Sequence, residues 1–136
     1  MTHVAKSEQI TLSWVIASEH PQRLADFYAA LLGAMARPGF SPSHWLISPE
    51  GGSLLQIYRP SSQRERPPQG RAWAPCLSRS SEQDPLVALQ QWCDQAQRHG
   101  AQMKEPPRLE SFGAECWMVD PEHNSFLLLM TLKPTP

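Results

Sequence analysis

The sequence predicts an α+β domain made of two tandem copies of one βαβββ unit. Residues 45–57 read WLISPEGGSLLQI, and 72 positions later, without a gap, residues 117–129 read WMVDPEHNSFLLL. Trp45 matches Trp117, Pro49-Glu50 matches Pro121-Glu122, and Leu55 and Ile57 match Leu127 and Leu129. Each copy is preceded by an amphipathic helix pattern that opens on a proline and closes on Gly-Ala, and each helix by a β-rich stretch. A repeat in fixed register defines architecture before any single residue does. A pocket in such a protein should be lined by matching positions of both copies.

The first strand is expected over ITLSWVIAS (10–18). Glu19-His20-Pro21 opens a helix, with proline at the first helical position, where its missing N–H costs nothing. Leu24, Phe27, Tyr28, Leu31 and Leu32 follow the spacing of one buried helix face, and Gly33 stops it. In the second half RAWAPCLSRS (71–80) reads as a strand. Asp84-Pro85 supplies an N-cap and a first-turn proline. Leu86, Leu89, Trp92, Cys93 and Ala96 form the buried face, and Gly100 ends the helix. Three strands follow each helix, the last two being the hairpin around the repeated Pro-Glu turn. The domain is therefore expected to span 1–136, with module one at about 10–58, a Pro-rich linker at 60–70 and module two at about 73–130. The tail KPTP is expected to fray.

Composition excludes several function classes. Twelve basic and thirteen acidic residues nearly cancel, so the basic field that nucleic acid requires is absent. Arg64, Arg66 and Arg71 gather in the Pro/Gln connector and read as linker solvation. No apolar run approaches a membrane span, and the first ten residues hold no apolar signal core. Cys76, Cys93 and Cys116 lack a metal-type spacing and read as buried free thiols of a cytoplasmic protein. The five histidines are scattered, and His44 should face away from whatever Trp45 faces. No phosphate-binding loop, nucleophile elbow or His-Glu-x-x-His pattern occurs.

HPQRLADFYAALLGA (20–34) and VDPEHNSFLLL (119–129), set in a doubled βαβββ plan, resemble the vicinal oxygen chelate superfamily, which includes glyoxalase I, bleomycin-resistance proteins and extradiol dioxygenases. They are most similar to its glyoxalase-like subgroup. His20 stands where that pattern has an acidic residue, and His123 where it has a turn glycine. The resemblance implies that each module curls into a half-barrel and that the pair forms a cup. It also implies four inward strand positions where metal-binding members carry His, Gln or Glu. By register these fall on Ser13, Leu55, Leu77 and Leu127. A one-residue slip gives Leu12 or Trp14, Gln56, Cys76 and Leu128. Neither set supplies the carboxylates and imidazoles a divalent ion needs, so no metal and no cofactor is expected. Family members commonly pair, and a homodimer is expected here.

With period-2 alternation anchored on Leu127, the cup should receive Leu127 and Leu129 from the last strand, and Glu115, Trp117 and Val119 from the strand before. Module one should add Trp45, Ile47, Leu55, Ile57, Ser13, Val15 and Ala17, and the strand at 71–80 should add Leu77 and Arg79. Such a pocket is apolar, with two symmetric tryptophans and the polar groups Arg79, Glu115 and Ser13. It suits an unknown planar or cationic small molecule. The first reading is thus a metal-free small-molecule-binding protein without nucleic-acid or membrane partners. The alternatives are an enzyme using Arg79 or Glu115 in the same cup, and a degenerate dimerisation module. Catalytic residues are not readable from the sequence.

Overall fold

The computed structural model describes residues 12–62 and 74–132. The expected strand start at 10–11, most of the connector, the strand opening at 71–73 and the tail at 133–136 lie outside the described residues. The first unit comprises β1 (Ser13–Ala17), α1 (Pro21–Leu32), β2 (Ala36–Pro38), β3 (His44–Ile47) and β4 (Leu54–Tyr58). The second comprises β5 (Cys76–Ser81), α2 (Pro85–Arg98), β6 (Gln102–Met103), β7 (Arg108–Glu110), β8 (Gly113–Val119) and β9 (Ser125–Leu132). The sheets run β1-β4-β3-β2 and β5-β9-β8-β6, with β7 also on β8. In each, the strand before the helix pairs parallel with the last strand, and the other pairs are antiparallel. Pro106-Pro107 lies between β6 and β7, so the second unit has two short strands where the first has β2. Proline cannot donate to a ladder.

Both helices start and stop where their local chemistry requires. The Asp84 carboxylate accepts the N–H groups of Leu86 (2.8 Å) and Val87 (3.3 Å) at the start of α2. His20 caps α1 with no side-chain bond, and Pro21 opens the helix. Gly33 takes the left-handed conformation that ends α1, with φ 64°. The helices press Leu24, Phe27, Tyr28 and Leu31, and Leu89, Trp92, Cys93 and Ala96, into one continuous core. Phe27 and Tyr28 meet Phe126 edge-on at 5.8 Å, which joins α1 to the sheet of the second unit.

The repeated turn is real in the backbone: Gly51 and its counterpart His123 both adopt positive φ, 74° and 67°. The strands around it are not equivalent. Trp45 lies opposite Ile57, whereas Trp117 lies opposite Leu127, two residues closer to the turn than the repeat implies. The covered faces also alternate out of phase. In the first unit Ile47, Leu55 and Ile57 lie in the core beneath α1, with Trp14, Ile16 and Trp45 packed against them. In the second it is Cys116, Met118, Phe126, Leu128 and Met130 that are buried, so Trp117 and Leu127 lie on the opposite, open face. The expected spatial pairing of Trp45 with Trp117 and Leu55 with Leu127 is therefore corrected. A one-residue change of phase moves every side chain of a strand to the other face. Polarity sets that phase: Gln56 cannot go under α1, nor Glu115 under α2, without an unpaired burial cost.

The expected burial of all three thiols holds for Cys93 and Cys116 but is corrected at Cys76, which is exposed because it alternates with buried Leu77 on β5. A thiol–thiol hydrogen bond in which Cys93 donates to Cys116, and then burial, push Cys93 up, and the same bond pulls Cys116 down. A disulfide-exchange reagent should modify one thiol per native chain and all three after denaturation. Two fast thiols in the native protein would contradict the packing of α2 on β8.

Candidate functional site: the open sheet faces

The open face of the first sheet carries a directional chain of hydrogen bonds. The Phe40 N–H donates to His44 Nδ1 at 3.0 Å, which leaves Nε2 as the protonated nitrogen facing Gln56 Oε1 at 3.0 Å. The Gln56 amide then donates to Ser13 Oγ at 2.9 Å. Strand register makes this row: Leu46 is opposite Gln56, and Gln56 is beside Val15, so alternate positions of β1, β3 and β4 share the face. Phe40 stacks flat on the His44 ring, 5.5 Å between centroids. Gly39 lets the ring approach, since a Cβ there would meet Nδ1 at 2.1 Å. At the end of the chain, Ser13 accepts from Gln56 and keeps its hydroxyl proton for another acceptor.

The open face of the second sheet carries Glu115, Trp117, Val119, Leu127 and Leu129, all half-buried. Arg108 on β7 sits opposite Glu115 and binds its carboxylate, together with those of Glu105 and Glu110. Its bond to Glu110 (3.0 Å) does most to raise the guanidinium pKa, followed by Glu115 and Glu105. Glu105 also accepts the Trp117 N–H at 3.1 Å, filling the gap in the ladder between β6 and β7.

Several expected pocket residues lie elsewhere. Trp45, Leu55, Ile57 and Leu77 are on the helix-covered side, as is Arg79, whose guanidinium lies 4.9 Å over the Trp92 ring. Arg79 is thus no partner of Glu115; Arg108 has that place. Leu55 and Leu77 do come together, in a cavity of about 450 Å³ lined also by Trp14, Leu32, Cys76 and the turn at 49–53. Ser13 and Val15 lie on the open face of the first sheet, and Glu115, Trp117, Leu127 and Leu129 on that of the second. Sequence reasoning turned His44 away from Trp45 and named Gln56 only as a slipped metal position, leaving both out of the pocket, and it missed Arg108. The available signal was Gln56, a polar residue flanked by Leu55 and Ile57, which marks the open face of β4.

The fold's metal positions can be tested on these faces. The open-face residues on β1, β4, β5 and β9 are Ser13, Gln56, Cys76 or Ser78, and Leu127 or Leu129. Both nitrogens of His44 are already engaged. This donor set does not fit a divalent ion. Among the described residues, no three His, Cys, Asp or Glu side chains gather at metal-binding distance.

Solved structures decide the fold. A glyoxalase/bleomycin resistance protein/dioxygenase family enzyme from Burkholderia phytofirmans PsJN superposes with a TM-score of 0.63 at 16% identity, over 88% of this chain and 97% of that one. The chain has the glyoxalase/bleomycin resistance/dioxygenase fold. A glyoxalase/bleomycin resistance protein from Albidiferax ferrireducens T118 gives 0.65 at 15% identity, covering 90% and 97%. Lactoylglutathione lyase from Agrobacterium tumefaciens gives 0.57 at 12%, covering 90% and 92%. No protein-family model and no curated protein sequence matches the chain. Among the described residues no helix is long and apolar enough to cross a membrane.

Proposed function

We propose that the protein is a metal-free small-molecule-binding protein whose ligand is a planar cation held on the open face of the second sheet. The observation that carries this is Trp117, half-exposed between Leu127 and a cluster in which three carboxylates surround the single guanidinium of Arg108. That cluster keeps a surplus of negative charge beside an aromatic face, which suits cation–π attraction and stacking. The lyase and dioxygenase names of similarly folded proteins point to enzymes, but Glu115 is tied to Arg108 and is poorly placed to take a proton from a substrate.

The open faces bear Val119, Leu127 and Leu129 half-buried and Val15 exposed. We infer that a second copy covers them, giving a homodimer whose sheets enclose the ligand. A sedimentation mass near 15.3 kDa at micromolar concentration would overturn this. A cytoplasmic location fits the free thiols.

The binding test is a panel of aromatic ammonium compounds with neutral isosteres, read by tryptophan fluorescence and melting temperature. Cations should bind more tightly than their isosteres. Trp117→Ala should weaken the best of them about tenfold while leaving the melting temperature nearly unchanged. The reading fails if no compound shifts the native protein, or if Trp117→Ala unfolds it.

A further inference from the structure

The two units present similar donors at corresponding places, and the buried one of the second unit is left unpaired. Tyr28 and Trp92 each lie seven residues after the proline that opens their helix. Ser18 and Ser81 each stand at the end of the strand before that helix. Each hydroxyl accepts the backbone N–H two residues on, from His20 at 3.0 Å and Gln83 at 3.1 Å. In the first unit both donors meet carboxylates: Tyr28 donates to Asp120 at 2.7 Å, and Ser18 donates to Glu122. Those two acids come from the Asp-Pro-Glu turn of the second unit.

In the second unit, among the described residues, the donor equivalent to Tyr28 has no acceptor. The Trp92 indole N–H is buried without a hydrogen-bond partner among the described residues, in a side chain only 3% exposed. A buried donor left unpaired is costly, and few are found in native proteins. Trp92 and Ser81 line a cleft of about 310 Å³ with Arg79, Arg98, Gln91 and Gln95. Among the described residues no Asp or Glu lines it and neither arginine is in an ion pair. Arg79 rests only on the Trp92 ring.

We infer that this cleft binds a ligand carrying two carboxylates. One carboxylate takes the Trp92 N–H and the other the Ser81 hydroxyl, as Asp120 and Glu122 do for Tyr28 and Ser18. Arg79 and Arg98 neutralise them. Arg79 turns from the ring to the incoming oxyanion, because a charge-assisted pair outweighs an exposed cation–π contact. The site lies between α2 and β5, apart from the open sheet faces, and does not depend on the function proposed for them.

The test follows the indole N–H resonance of Trp92 in ¹⁵N-labelled full-length protein, assigned through bonds and checked with Trp92→Phe. The protein is titrated with succinate and, separately, with a blocked peptide of residues 119–124. A saturable shift of that resonance with either probe is expected, weakened at least tenfold by Arg79→Gln and by Arg98→Gln. Both arginines are exposed, so these variants should fold. Saturation by succinate identifies a free small diacid, and saturation by the peptide alone identifies an acidic turn of a protein. No shift with either probe up to about 10 mM, or shifts unchanged in both arginine variants, overturns the inference.

Discussion

Gly113→Ala should lower stability by about 3 kcal/mol or more, enough to reduce the melting temperature by roughly 10 °C. A Cβ at this position would lie 2.0 Å from the Met130 carbonyl oxygen and 3.0 Å from the Thr131 Cα. Both are backbone atoms of β9, so no side-chain rotation relieves the contact. The residue also has φ 146°, which side chains other than glycine rarely adopt. Gly113 opens β8 and pairs with Thr131 on one side and Glu110 on the other. Displacing it would shift Glu115 from Arg108 and move Trp117, so binding on the open face should weaken in parallel. Gly51→Ala is the control. Its φ is 74°, but nothing lies within 4 Å of the added Cβ. It carries only the left-handed backbone penalty of about 1–2 kcal/mol. Denaturant titration of the two variants separates the effects. Equal losses would mean that the β8–β9 contact is not the cause.

The contrast between those glycines also shows what the sequence could disclose. Helix ends were legible because their causes are local: Pro21, Asp84-Pro85 and Gly33 each act within one turn of chain. The Pro-Glu turns were legible because a repeated motif repeats its backbone, down to the positive φ at Gly51 and His123. The faces of the strands were not. Phe126-Leu127-Leu128-Leu129 is apolar in both phases, so alternation alone could not choose there. Anchoring both units on the 72-residue repeat carried the phase of one into the other. The polar residues decide it instead, since Gln56, His44 and Glu115 must stay on the open side. Arg108 was missed because β7 is a three-residue strand isolated by Pro106-Pro107, with no periodicity of its own. The Asp120–Asn124 motif was recognisable by resemblance, but its physical role became visible only when Tyr28, distant in sequence, met it.

That role carries the second large effect. Asp120→Ala should cost about 3 kcal/mol or more, because one buried carboxylate holds both the turn and the joint between the units. Asp120 is 2% exposed. Its Oδ1 accepts the N–H groups of Glu122 at 2.8 Å and Asn124 at 3.0 Å, and its Oδ2 accepts the Asn124 amide at 3.0 Å and the Tyr28 hydroxyl at 2.7 Å. Alanine leaves these donors without their acceptor and removes one of the contacts that tie α1 to the second unit. Tyr28→Phe removes only one of those bonds and should cost about 1 kcal/mol. The same pair predicts a pH dependence. Burial, and then the charge of Asp120, hold the Tyr28 hydroxyl well above the usual tyrosine range. Above about pH 10 an unfolded tyrosine loses its proton while the folded one keeps it, so the native state binds more protons and stability falls as pH rises. Below that pH the contribution is fully present. Stability should therefore decline above about pH 10 in the native protein and less steeply in Tyr28→Phe. Identical alkaline slopes for the two proteins would show that Tyr28 is not the buried proton holder at this joint.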